Sequence, residues 1–311
     1  MKIGYLFPGQ GAQSVGMCKD LYDEYEEVRA IYKKASDILG IDIAKLTFES
    51  SEEELCETKN TQIAILVMSL AILELLKKYD IKVDMVAGLS LGEYTALIFS
   101  KMLGIEDGIR LVRKRGELMQ NMVPDGNWAM AAIIGLEDSE VEDACNQARN
   151  NGFVVPANYN CPKQVVISGE KEAVLLAMKI CKEKGARLVR ELKTGGPFHT
   201  EKLKSASEAL YNELKKVEIK NIGEISVVKN IDGKIYNEND DIKNILSKHI
   251  TNPVRFKEDI QEMLDNGIDT FIEIGPGKVL SGFVKKINPN VKILNINSIE
   301  TLNKTLEELG K

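Results

Sequence analysis

The stretch AGLSLGEY, residues 87–94, decides how the chain is read. It contains Gly88-Leu89-Ser90-Leu91-Gly92, a Gly-x-Ser-x-Gly pattern. Such a pattern can hold a serine on a sharp strand-to-helix turn with its hydroxyl exposed. The flanks supply the context this turn needs, the apolar run Met85-Val86-Ala87 before it and the helix-prone EYTALIF after it. Glycine at 88 and 92 permits a tight turn and close helix packing. The competing reading is a plain strand-to-helix turn in which Ser90 is a helix N-cap.

Outward from this turn, short apolar strands alternate with amphipathic or buried helices. Strands are expected at 2–7, 85–89, 225–230 and 270–274, and helices at 21–39, 62–79, 93–99, 105–122, 199–216, 241–249 and 256–266. This is a doubly wound α/β pattern, in which ligands gather at the carboxyl ends of the strands. The turn cluster Val123-Pro124-Asp125-Gly126-Asn127 interrupts it. A self-contained set follows: strands at 128–134, 153–157, 164–168 and 186–192, with helices at 139–150 and 170–184. Its β-α-β-β-α-β order is that of a ferredoxin-like unit, closed by Thr194-Gly195-Gly196-Pro197. The expected fold is therefore a large α/β-hydrolase-like domain with a parallel-sheet core, residues 1–125 and 198–311. Into it a small ferredoxin-like domain, residues 126–197, is inserted.

Composition excludes several classes. A chain of 311 residues with a formal net charge of -6 gives no footprint for nucleic acid, and the short basic run at 110–115 reads as a solvated helix face. Five cysteines without a C-x-x-C pair point to free thiols in a reducing compartment. The two histidines, 50 positions apart, have no cysteine beside them, so no metal site is expected. The opening MKIGYLFPG has too short an apolar run for a signal peptide. The most apolar segment, 63–73, falls short of the ~18 residues of a membrane span and reads as a buried helix. A cytoplasmic protein is expected.

A serine needs a base to take its proton, and only His199 and His249 offer an imidazole. His199 follows the rigid Gly195-Gly196-Pro197-Phe198 and is expected to begin a helix aimed into a cleft, which favours it as the base. His249 ends a helix, where an imidazole can simply complement the helix dipole. No acid can be singled out among 47 carboxylates as a third member. Gly9-Gln10-Gly11-Ala12-Gln13 fails as a dinucleotide fingerprint, since Ser14 stands where the third glycine belongs. It can instead supply one backbone N–H, that of Gln10, to an oxyanion hole whose other donor is Leu91. Gly275-Pro276-Gly277-Lys278 lacks phosphate-loop spacing and reads as a structural turn.

Five stretches in order carry a family likeness: FPGQGAQ at 7–13, GLSLGEYTAL at 88–97, RKRGELMQ at 113–120, GPFH at 196–199 and EIGPGKVL at 273–280. Together they resemble the malonyl-CoA:acyl carrier protein transacylases, the discrete acyltransferases of bacterial type II fatty acid synthesis. The likeness extends into MAAIIGL and NYNCPKQVVISG of the small domain and so covers nearly the whole chain. The resemblance implies that Ser90 is acylated and His199 is the base. It also implies that Gln10 and Leu91 form the oxyanion hole and that Arg115 binds the malonyl carboxylate. A guanidinium suits that task because it forks onto a carboxylate with two charged hydrogen bonds. Read alone, Arg115 would be a helix-surface cation. Two positions depart from the family pattern. Leu89 stands where many members have histidine, and His249 where glutamine or asparagine is common. The resemblance implies that the segment around His249 orients His199, largely through a backbone carbonyl. The His249 side chain is placed with the substrate-binding residues, its role open.

The implied reaction is a ping-pong transfer of malonyl from coenzyme A to the phosphopantetheine thiol of acyl carrier protein, through a malonyl-serine ester. Coenzyme A enters as a substrate thioester and no cofactor is implied. Phe198 is expected to crowd an added methyl group, and the enzyme is expected to be a monomer. The carrier is typically acidic, so a local basic face is expected at Lys182, Lys184, Arg187, Arg190, Lys193, Lys285 and Lys286. A serine esterase or thioesterase uses the same turn but has no use for Arg115. A non-catalytic binding module would use Ser90 only as a cap.

Overall fold

The computed structural model describes residues 1–193 and 196–311; Thr194 and Gly195, in the expected closing turn of the small domain, lie outside them. Among the described residues ten strands follow in chain order: β1 (Ile3–Phe7), β2 (Met85–Gly88), β3 (Trp128–Ile134), β4 (Val154–Cys161), β5 (Gln164–Glu170), β6 (Leu188–Glu191), β7 (Ser226–Lys229), β8 (Lys234–Ile235), β9 (Thr270–Ile274) and β10 (Lys292–Ile296). They form two sheets. The first has the order β10-β9-β1-β2-β7-β8 and is parallel except for the antiparallel pair β7–β8. The second has the order β4-β5-β3-β6 and is antiparallel throughout. The protein is thus a mixed α/β fold with one largely parallel and one antiparallel sheet.

The register of the first sheet positions the site. Phe7 at the end of β1 pairs with Gly88 at the end of β2, and the Leu89 N–H donates to the Phe7 carbonyl at 3.0 Å. The two turns that leave these strands, Pro8-Gly9-Gln10 and Leu89-Ser90-Leu91, therefore run side by side. Their approach leaves no room for a side chain: a Cβ on Gly9 would come within 2.4 Å of the Leu89 carbonyl oxygen.

The small sheet is a partition. Ala129, Ala131 and Ile133 of β3 face a core shared with the helices Asp138–Ala148 and Lys171–Glu183. Met130 and Ala132, on the opposite face, line a cavity against the large sheet. The two bodies are stitched by main chain: Tyr159 of β4 donates to the Val254 carbonyl at 2.8 Å, and Val254 donates back to Ala157 at 2.9 Å.

Two expectations are corrected, and a third, the buried apolar helix, is extended. The helix expected over 21–39 is two helices, Lys19–Glu24 and Glu26–Leu39, broken where Tyr25 is extended. The Arg29 guanidinium takes the end carbonyls of the first, Tyr22 and Asp23, at 2.9 and 2.8 Å, and so stabilises a break the apolar period conceals. His199 does not begin a helix. It sits at φ 59, and only after it come the short 3-10 turn Glu201–Leu203 and the helix Lys204–Leu214. The apolar segment expected over 63–73 belongs to a helix, Thr58–Leu76, whose 19 residues are long and apolar enough to cross a membrane. Its most apolar window is 89% buried and Ser69 bonds the Ile274 carbonyl at 3.0 Å, so it is the core helix of this fold.

Candidate active site

Ser90 stands at φ 53, in the left-handed region that non-glycine residues avoid at a cost of roughly 1–2 kcal/mol. The strain is held by its surroundings. A Cβ on Gly88 would lie 2.0 Å from the Gly92 carbonyl carbon, and one on Gly92 would lie 2.1 Å from the Phe7 oxygen, so strand, turn and helix close on glycine alone. The Ser90 N–H donates to Asn230 Oδ1 at 2.6 Å, which fixes the turn from the end of β7. Leu91, not Ser90, occupies the N-cap of the helix Gly92–Phe99, with no side-chain cap. The Ser90 hydroxyl is free for other work, and the capping reading fails.

That hydroxyl lies 2.8 Å from His199 Nε2. On the other side of the ring, Nδ1 faces two carbonyls, His249 O at 3.0 Å and Asn252 O at 3.2 Å. Carbonyls only accept, so Nδ1 carries the hydrogen and Nε2 presents its lone pair to the Ser90 O–H. Burial pushes His199 down to about 4, the nearby Arg115 charge adds to this, and the two carbonyl bonds oppose it. The ring is neutral at pH 7 and ready to accept a proton.

Arg115 is 1% exposed on the inner face of the helix Ile105–Asn121. Its Nη1 donates to Gln62 Oε1 at 2.7 Å and its Nη2 to Ser90 Oγ at 3.0 Å, while the guanidinium lies over the Tyr94 ring at 5.4 Å. Nε has no partner, and among the described residues no carboxylate forms an ion pair with it. A buried cation without a counter-ion is costly unless a ligand completes it. This one opens on the same cavity as the serine.

The cavity has a volume of about 250 Å³ and is lined by Gln10, Ser90, Leu91, Arg115, Phe198 and His199 from the large sheet's side. Asn158, Asn160, Met130 and Leu192 line it from the small sheet's side. Among the described residues, no acceptor takes the backbone N–H of Gln10 or of Leu91. A larger groove, of about 870 Å³ between Ile31, Leu70 and Met102, holds none of these residues.

Every expected site residue but one meets at this cavity. The exception is His249, expected with the substrate-binding residues: its ring is wholly buried and does not line the cavity, although its carbonyl orients His199. The expected basic face is also divided. Arg190 and Lys193 flank Leu192 at the cavity wall, and Lys286 bonds Gln164, another lining residue, at 2.7 Å. Lys182 and Lys184 belong instead to the helix layer beyond the small sheet, where Lys184 pairs with Asp143 at 2.8 Å.

Asn230, Glu93 and Gln62 are site residues that sequence reasoning passed over. Asn230 had a signal, a polar residue at the carboxyl end of an apolar parallel strand. Gln62 and Glu93 sit inside strongly apolar helices, and nothing local marks which side chain they meet.

Against known proteins, the acyl transferase domain family matches residues 4–302. The malonyl CoA-acyl carrier protein transacylase of Bacillus subtilis is 41% identical over 309 residues, covering 99% of this chain and 97% of that protein. The crystal structure of the corresponding transacylase from Clostridium perfringens superposes with a TM-score of 0.95 at 44% identity, covering 100% of this chain and 98% of that one. A malonyl-transacylase solved in complex with its type II PKS acyl-carrier protein has a TM-score of 0.95 at 37% identity, covering 99% and 100%.

Proposed function

Because the chain belongs to the acyl transferase domain family, and within it to the malonyl CoA-acyl carrier protein transacylases, we propose that Ser90, His199 and Arg115 carry that activity here. The enzyme transfers malonyl from malonyl-CoA to acyl carrier protein for fatty acid synthesis. The observation that carries the residue assignment is the buried Arg115, without an ion-pair partner among the described residues and placed on the Ser90 hydroxyl itself.

The malonyl carboxylate takes up the Arg115 guanidinium and draws Nη2 from Ser90, leaving the hydroxyl to His199. Oγ attacks the thioester carbonyl as its proton passes to Nε2, and the oxyanion is held by the N–H groups of Gln10 and Leu91. The C–S bond breaks, and the imidazolium returns its proton to the departing coenzyme A thiolate. The carrier's phosphopantetheine thiol then gives its proton to His199, attacks the malonyl-serine ester and leaves as malonyl thioester while Ser90 regains its proton. Phe198, 5% exposed on the cavity wall, crowds an added methyl group, a discrimination worth only ~1–3 kcal/mol.

The architecture reads as an α/β-hydrolase-like large domain, residues 1–125 and 198–311, with a ferredoxin-like insert at 126–197. Support comes from the nucleophile turn after β2 and from the strand order of the insert, in which its first and third strands are central. Carrier docking is assigned to Arg187, Arg190, Lys193, Lys285 and Lys286, with Lys182 and Lys184 set aside by their position. The protein is read as a cytoplasmic monomer that works without a resident cofactor.

The test is an intact-mass measurement after incubation with malonyl-CoA, followed by addition of phosphopantetheinylated carrier. The expected result is one malonyl adduct on Ser90 that hydrolyses slowly and is discharged by the carrier. Rapid release of free malonate would instead indicate a hydrolase, and absence of an adduct would remove Ser90 from its role.

A further inference from the structure

Behind the Ser90–His199 pair lies a buried polar cluster that the transfer chemistry does not use. Its centre is Glu93, three residues after the nucleophile and 1% exposed. Oε1 accepts from the Tyr236 hydroxyl at 2.5 Å and Oε2 from the Asn230 N–H at 3.2 Å. The side chain of that same Asn230 holds the Ser90 N–H through Oδ1 and the Gly88 carbonyl through Nδ2, at 2.6 and 2.7 Å. Glu93 is therefore tied to the nucleophile turn.

On its other side Glu93 meets His249. Nδ1 of that ring lies 3.5 Å from Glu93 Oε2, and both side chains are 1% exposed. Among the described residues neither ring nitrogen of His249 has a hydrogen-bond partner, so Glu93 is the polar group this imidazole has to turn to. The His249 carbonyl takes the Nδ1–H of His199 at 3.0 Å, and the two rings lie 5.2 Å apart. Two short paths thus leave Glu93. One reaches the serine through Asn230, the other the base through His249.

We propose that Glu93 and His249 form a buried brace that holds Ser90 and His199 in register, with the His249 side chain acting as a positioning residue for the catalytic imidazole. The inference rests on the reading of Ser90 and His199 as nucleophile and base. The brace works in either protonation state. Burial raises the Glu93 carboxyl to about 7 and pulls His249 well below the usual imidazole range, so the ring is neutral at pH 7. A neutral imidazole donates to a carboxylate or accepts from a carboxylic acid with the same nitrogen, once its tautomer is chosen. Without it, the last residue of the helix Ile242–His249 loses its approach to Glu93, 3.5 Å away, and the carbonyl that orients His199 is free to drift.

The experiment compares His249→Leu, His249→Gln, Glu93→Gln and the double variant H249L/E93Q. Leucine fills the space but has no N–H, whereas the glutamine amide can donate to the carboxylate. Two rates are read, acylation by malonyl-CoA and labelling of Ser90 by a fluorophosphonate, with Tm as the control for folding. H249L is expected to slow both about 10–100-fold with KM for malonyl-CoA within about twofold, since misplacing a catalytic group by about 1 Å costs up to about 10²-fold. H249Q is expected to recover most of the rate, and the double variant to be no slower than the slower single variant. The brace is overturned if H249L acylates at the parent rate, if H249Q is as slow as H249L at equal Tm, or if the losses in the double variant multiply. If the unaltered enzyme reacts with fluorophosphonate but never with malonyl-CoA, the substrate reading fails while the brace is still decided by the labelling rates.

Discussion

Replacing Arg115 with alanine separates recognition of the substrate from activation of the nucleophile. In the ligand-free site the guanidinium spends one bond on Gln62, at 2.7 Å, and one on Ser90 Oγ, at 3.0 Å. A malonyl carboxylate offers two charge-assisted bonds, each worth about 1.5–3 kcal/mol to a charged group. Part of that gain replaces the bond to Ser90, so the net advantage of malonyl over acetyl is set near the low end, about 3 kcal/mol. At 1.4 kcal/mol per decade this is about 10²-fold in kcat/KM. Arg115→Ala should therefore lower kcat/KM for acylation by malonyl-CoA about 10²-fold while leaving acetyl-CoA close to its parent rate. Arg115→Lys should fall between, because it keeps the charge and loses the fork. The assay is the pre-steady-state acylation of Ser90 by the two thioesters, read by mass. Tm is measured alongside as the folding control, because the truncation also leaves a cavity and takes the donor from Gln62 Oε1. If both thioesters slow equally, Arg115 acts through Ser90 and not through the substrate, and the recognition argument is refuted.

With the His199 imidazole pushed down to about 4, acylation should be flat from pH 8 to 6 and fall only as pH approaches 4; a half-point near 6.5 would contradict the burial argument. In stability the two buried groups work against each other. The lowered His199 makes the unfolded state the better proton binder between 4 and 6.5, so its contribution is lost as pH falls through that window. Glu93, raised to about 7, makes the folded state the better binder between 4.5 and 7, so its contribution grows as pH falls. Glu93→Gln should accordingly gain stability relative to the parent at pH 8 compared with pH 5, and a urea series at the two values reads the difference. Ser90→Gly should abolish acylation yet raise stability by about 1 kcal/mol over Ser90→Ala, because glycine meets φ 53 without strain; equal midpoints would show that the turn stores none. Reversing the charges of Arg190, Lys193, Lys285 and Lys286 should slow discharge to the carrier and spare acylation by malonyl-CoA, whereas reversing Lys182 and Lys184 should do neither. Equal loss in both half-reactions would dismiss the docking face.

Local sequence carried the nucleophile turn well, because its requirements are local. Glycines at 88 and 92 are demanded by atoms within a few residues or by the adjacent strand, and the pattern states both. The sequence of elements in the insert was legible for a similar reason, since its strands are short and each is set off by a turn or a helix, although those helices cross over to strands that are not neighbours in the sheet. Arg115 is the opposite case. It lies on a helix beside two other cations, Arg113, which bonds Lys59 and Asn60 at the rim of the helix Thr58–Leu76, and the partly exposed Lys114, and only the finished packing shows that position 115 is the one that turns fully in. The residues alone could not separate it from a surface cation; the resemblance did. The Glu93–His249 contact joins positions 156 apart through two helices that meet only in the finished fold, so no pattern along the chain announces it. Nor could the φ of His199 be read, because the turn before it and the cap after it suggest a helix start equally well.

The choice of backbone carbonyls to orient His199 bears on how one imidazole serves both half-reactions. A carboxylate at Nδ1 would stabilise the imidazolium and make His199 a stronger base. The two carbonyls compensate only part of the burial, and the ring is left weakly basic, at about 4. A thiol of pKa about 8.5 lies closer to such a base than a hydroxyl does. The same weakness makes the imidazolium a ready acid toward the thiolate that leaves when the first thioester is cleaved. Both half-reactions pass a proton between a thiol and Ser90 across one imidazole, so a base that serves one direction serves the other.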